Sequence, residues 1–107
     1  MDVKKIKFEK TEDGYWYGSI TIGHFLISIT AGKFNYSIPF ETIKDPYSYD
    51  NYEVIVSNRL DNNRLVTHEY FLHPKGKIAP YVSPDDIFKI VNRIREEVEM
   101  SELNKII

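Results

Sequence analysis

Two glycine-led dipeptides, Gly23-His24 and Gly32-Lys33, constrain this chain more than any other feature. Each follows a stretch in which apolar residues recur at every second position. Each also has the form of the Gly-X pair of a two-residue hairpin turn, where glycine supplies the positive φ that the turn requires. The two turns can be checked against each other. A turn at the first pair sets Ile22 against Phe25, Ile20 against Ile27, Gly18 against Ile29 and Trp16 against Ala31 on one side of a sheet. A turn at the second sets Ala31 against Phe34, Ile29 against Tyr36, Ile27 against Ile38 and Phe25 against Phe40, again on that side. Strand side chains alternate with a period of two, so a one-residue slip would turn all of these into water, and the agreement is a register signal. It predicts Phe34, Tyr36 and Phe40 as core.

Upstream, a two-residue turn at Asp13-Gly14 would place Ile6 and Phe8 on the wrong face. A three-residue loop Glu12-Asp13-Gly14, with Gly14 left-handed at a bulge, instead pairs Ile6 with Ile20 and lays Phe8 over Gly18. The opposite side of this meander, Tyr15, Tyr17, Ser19, Thr21, His24, Leu26, Ser28, Thr30, Asn35 and Ser37, is rich in hydroxyls and nearly uncharged. It reads either as a solvated sheet face or as a surface for another chain or a ligand. Pro39 cannot donate to a ladder, so the fourth strand stops there or lies at an edge, and residues 41–51 run as a loop.

Tyr52 to Asn58 and Arg64 to Leu72 follow as strands joined at Asp61-Asn62-Asn63. Their register stays open, because a turn centred on Asn62-Asn63 sets Val56 against Glu69 and a longer loop is the alternative. Ser83-Pro84-Asp85-Asp86 is a helix start, with a hydroxyl cap, proline at the first helical position and acids in the first turn. Ile87, Ile90, Val91, Ile94 and Val98 form the apolar stripe of that helix. Leu103, Ile106 and Ile107 leave the stripe: either the helix runs on past residue 100 or the tail departs from it, frayed or docked on a second subunit. The expected architecture is a single α+β domain over residues 1–107, an antiparallel β meander of about six strands with one C-terminal α-helix packed on its apolar face.

Composition narrows the chemistry. A net charge of -2 offers no footprint for phosphate backbones, so nonspecific nucleic-acid binding is not expected. The absence of cysteine excludes disulfides and thiolate zinc sites. No long apolar run follows Met-Asp-Val-Lys-Lys-Ile, so neither a signal peptide nor a membrane span is expected, and the chain is placed in the cytoplasm. His24, His68 and His73 lack metal-ligand spacing, no glycine-rich phosphate loop leads from strand to helix, and no serine sits in a nucleophile elbow. Capping explains Asp85-Asp86, and a solvated helix face explains Glu96-Glu97. A non-enzymatic protein without catalytic residues, metal or cofactor is the expectation.

Tyr47, Tyr49 and Tyr52 remain, with Arg59, Arg64 and His68 on the next hairpin. They read in two ways. The tyrosines fold back as a lid on the core while the arginines stay in water, or the group is a binding surface in which Tyr and Arg stack a base and hold a phosphate or anchor a protein. Tyr15 and Tyr17 of the hydroxyl-rich face complete the candidate set.

The order of "LISITAGKFNYSIPFE", "YDNYEVIV" and "APYVSPDDIFKIV", within residues 26–91, resembles a loose group of short phage-encoded proteins. That group carries a basic residue after the proline and a glycine pair after the helix, where this chain has Phe40 and Arg95-Glu96, and no functional residue is carried over. The resemblance implies an accessory protein of a phage or mobile element acting by binding in the host-cell cytoplasm, of the counter-defence kind that inhibits a host defence complex, as anti-CRISPR proteins do. Alternatives are a sponge for a small nucleotide signal and the immunity protein of a toxin system. The expected partner is a host defence protein or a small nucleotide ligand, with homo-oligomer formation through the hydroxyl-rich face or the Ile-Ile tail.

Overall fold

A computed structural model describes residues 5–106, with side chains described for 5–103. β2 (Trp16–Ile22) and β3 (Phe25–Ala31) form the hairpin that Gly23-His24 predicts, with Ile20 opposite Ile27, Gly18 opposite Ile29 and Trp16 opposite Ala31. Gly23 has φ +56°, and a Cβ there would stand 2.9 Å from a methyl of Val98. Glycine therefore makes the turn and also lets the helix approach it. β1 (Glu9–Lys10) pairs with β2 in the register of the three-residue loop, Glu9 opposite Tyr17 and Lys10 opposite Trp16. Ile6 and Phe8 lie over Gly18, where an added Cβ would come within 2.6 and 3.0 Å of them.

The second hairpin does not form. β3 pairs instead with β4 (Tyr52–Asn58), antiparallel from Phe25 opposite Asn58 to Thr30 opposite Glu53. The physical reason lies in what each candidate offers a central strand. Residues 33–40 contain Pro39, which has no N–H to give, and Phe34 at φ +74°, which is not extended backbone. Tyr52, Val54 and Val56 come without proline and bury completely against Ile29 and Ile27. Phe34, Tyr36 and Phe40 are consequently not core: Phe34 is 92% exposed, Phe40 57%, and Tyr36 is half-buried.

The strand expected over 64–72 is also shortened. β5 (Arg64–Leu65) pairs Leu65 with Ser57 and Arg64 with Asn58, around a loop of residues 59–63, and a 3-10 turn at Thr67–Glu69 then ends it. There the buried Thr67 hydroxyl accepts the Val56 N–H at 3.0 Å, so a side chain takes over from the ladder. The remaining length of β4 pairs with β6 (Ala79–Val82), a strand hidden in what reads as a Pro- and Gly-bearing loop. The sheet order is β1-β2-β3-β4-β5, with β6 beside β5 along the same edge of β4.

α1 (Pro84–Ile106) begins at the expected cap, the Ser83 hydroxyl accepting the Asp86 N–H at 3.2 Å, and runs on past residue 100. The Ile106-Ile107 tail contact falls outside the described side chains. Ile87, Val91 and Ile94 bury against the apolar face, each contributing about 1.5–3 kcal/mol by leaving water, with Ile90 and Val98 packed at the margin. The fold is therefore α+β, an antiparallel sheet of six strands with one C-terminal helix. Among the described residues no helix is long and apolar enough to cross a membrane.

Candidate interaction surface

The sequence-derived candidates do not converge. Tyr47, Tyr49 and Tyr52 close the end of the core that the helix leaves uncovered, around Phe8: ring centroids lie 5.5 Å apart for Phe8 and Tyr47, 5.7 Å for Phe8 and Tyr52, and 5.6 Å for Tyr49 and Tyr52. Each phenol is spent internally. Tyr47 donates to the Ile6 carbonyl at 2.6 Å, Tyr52 to Pro46 at 2.6 Å and Tyr49 to Glu41 at 2.5 Å, while Tyr49 accepts from the Ile43 N–H at 3.0 Å. Trp16 donates to the Ile43 carbonyl at 2.8 Å and completes this lid. Burial pushes the Tyr49 phenol up and the Tyr52 phenol up to about 12. Tyr49 and Tyr52 thus take the lid alternative and present no ring to a ligand.

Arg59, Arg64 and His68 lie past the other end of β4, about 20 Å away by strand rise. Arg64 pairs with Asp61 at 2.6 Å and with Glu69 at 3.5 Å, and the His68 ring stands 4.0 Å from Glu69. Tyr15 is half-buried, and Tyr17 stands on the uncovered sheet face with its hydroxyl 3.4 Å from that of Ser28.

The structure assembles a different surface, from residues read as core or as plain loop. After Ala31 the chain folds over the end of the sheet, and a buried carboxylate holds it there: Glu53 accepts the Tyr36 N–H at 2.8 Å and the Thr30 hydroxyl at 3.5 Å. The fully buried Ser37 accepts the Gly32 N–H at 3.1 Å. The Tyr36 carbonyl then accepts the Tyr81 N–H at 3.0 Å, which ties β6 to the excursion. The side chains of these tethered backbones form a ledge. The Tyr36 and Phe40 rings both meet Tyr81 edge-on, at 5.9 and 6.0 Å, and the same segment of chain exposes Phe34 and Ile38. Phe34 at φ +74° and Tyr81 at φ +55° are aromatic residues in the left-handed region, each storing about 1–2 kcal/mol of backbone strain.

Tyr81 also forms one wall of a cleft of about 370 Å³, with Phe71, Leu72, Pro80 and Ile90 as its apolar lining and His73, Asp86 and Lys89 as its polar groups. Leu72 is 92% exposed at its mouth. Behind the cleft, Tyr70 donates to Glu97 at 2.7 Å and lies under the Arg93 guanidinium at 4.7 Å; burial, followed by that carboxylate, pushes its phenol well up. This clamp fixes the back of the cleft to the helix. Among the described residues no group of three or more His, Asp or Glu side chains is placed to hold a metal ion.

Sequence reasoning missed Leu72 and Tyr81 and put Phe34, Tyr36 and Phe40 inside. Pro39 and Pro80 were the available signals, since each marks a segment barred from the interior of a sheet. No protein-family model, no curated protein and no solved structure matches this chain.

Proposed function

We propose that this chain is a non-enzymatic accessory protein that acts by occupying a partner protein, and that the ledge of Phe34, Tyr36, Ile38, Phe40 and Tyr81 is its contact surface. The observation that carries this reading is the ledge itself. Tyr36, Tyr81 and Phe40 meet ring to ring at the surface on a backbone tethered by a buried carboxylate against local strain, whereas apolar side chains without a task scatter singly over a surface. Aromatic residues in such clusters are the common anchors of protein interfaces.

Following the resemblance across residues 26–91, the partner is a component of a host defence complex. Bacterial strains each carrying one phage-defence system, and expressing this chain, test the proposal. Phage plating should recover at least 100-fold in one of them, and Phe40→Asp should abolish the recovery. No recovery in any strain would sink the counter-defence role, and recovery indifferent to Phe40→Asp would remove the ledge as its surface.

The cleft favours a second reading, a sponge for a nucleotide signal held between its apolar walls and Lys89. A thermal-shift panel of nucleotides separates the two. Ligand at 100 times its dissociation constant adds about 2.7 kcal/mol of stability, and a flat panel would dismiss the sponge.

A further inference from the structure

We infer that the ledge and the cleft beside it form one docking site for an acidic protein segment that carries bulky apolar side chains. The inference rests on the reading of the ledge as the contact surface. Tyr81 belongs to both features, so an extended segment crossing the ledge reaches the cleft without a break. A volume of about 370 Å³ with mostly apolar walls lies within the range that receives a large buried group, and here it can take an aromatic or leucine side chain of the partner.

Charge selects the rest of the partner. The two segments that build the site, residues 33–40 and 71–82, carry Lys33, Lys75 and Lys77 and no Asp or Glu, although the chain as a whole is net -2. The carboxylate beneath the ledge, Glu53, is buried and spent on the Tyr36 N–H and the Thr30 hydroxyl, Glu41 is the next acid along the chain, and Asp86 in the cleft is engaged with Lys89 at 3.9 Å. Among the described residues none of the three lysines is in an ion pair. Two of them rest on ring faces instead, Lys33 over Phe34 at 5.3 Å and Lys75 over Tyr36 at 4.9 Å. An ammonium on an exposed ring is weakly held, so an arriving carboxylate can draw it off the ring. At Tyr36 that motion would uncover the ring face just as the partner supplies the countercharge. One face of Tyr36 is already taken by the Lys75 ammonium, and three cations fall short of the array that a nucleic-acid backbone engages. An acidic peptide fits these facts better than an oligonucleotide.

Selection of a random 12-residue peptide library on the immobilised full chain tests the inference. Enriched peptides should combine Trp, Phe or Leu with an excess of Asp and Glu. The tightest of them, made as a free peptide, should bind Lys33→Glu/Lys75→Glu/Lys77→Glu at least 10-fold more weakly, since all three sites are exposed. Enrichment of neutral or basic peptides, or no enrichment, would overturn it. So would binding of a fluorescent dT20 oligonucleotide or of phosphatidylserine vesicles that the triple variant abolishes. A failed selection alongside phage recovery that still depends on Phe40 would reject this partner chemistry and leave the proposed function standing. A successful selection without phage recovery would do the reverse.

Discussion

At the scale of single residues, the strain at Phe34 yields a direct expectation. Its ring is almost wholly in water and its backbone is left-handed, a conformation costing an L-residue about 1–2 kcal/mol that glycine adopts freely. Glycine loses about 0.5–1 kcal/mol of this through the larger entropy of its unfolded chain. Phe34→Gly should therefore raise unfolding stability by up to about 1.5 kcal/mol in urea titration while weakening partner binding. Loss of stability would mean that the ring packs where the structure exposes it. The buried tyrosines predict a pH dependence. Tyr52 in the folded chain titrates near 12, above the 10.0 of a free phenol, so its contribution is complete below pH 10 and is lost as pH rises toward 12. Across that window stability should fall by about 2 kcal/mol at most from Tyr52 alone, with Tyr49 and Tyr70 acting in the same direction. Urea midpoints measured from pH 9 to 12 should show the decline, and Tyr52→Phe should flatten it.

At the scale of elements, the excursion between β3 and β4 depends on Glu53. Glu53→Ala leaves the Tyr36 N–H and the Thr30 hydroxyl without their acceptor, costing about 1–3 kcal/mol, whereas Glu53→Gln keeps an acceptor and should recover most of it. Hydrogen exchange at the Tyr36 amide should quicken in the alanine variant. An unchanged rate would show that the carboxylate does not anchor the ledge. The same excursion explains what was legible in the sequence. The β2-β3 register, the loop around Gly14 and the helix cap rest on contacts close in sequence, where alternation and turn chemistry suffice. The choice of a second neighbour for β3 is a competition between distant segments, in which the alternation of Phe34, Tyr36 and Phe40 imitated a strand and only Pro39 spoke against it. β6 was illegible because Pro80 and a left-handed Tyr81 interrupt its four residues. The tyrosine lid was legible only as one of two alternatives, since its decisive partners are backbone carbonyls, which no side-chain pattern encodes.

At the scale of the whole molecule, helix and lid share one face of the sheet, and among the described residues no element covers Tyr17, Ser19, Thr21, Leu26 and Ser28 on the other. The homo-oligomer expected from the sequence would use this face. Light scattering at micromolar concentration should then return a multiple of the 12.6 kDa chain mass, and Leu26→Glu should restore the monomer; a wild-type monomer removes the face as a self-contact. The tethers of the ledge have a broader consequence. Backbone groups and the side chains of Asn35, Ser37, Thr42 and Glu53 hold the excursion in place, and the side chains of residues 34, 38 and 40 enter none of those bonds. Such a surface can be rewritten letter by letter while its scaffold stands still, which would suit the proposed counter-defence role, where a target that mutates has to be followed.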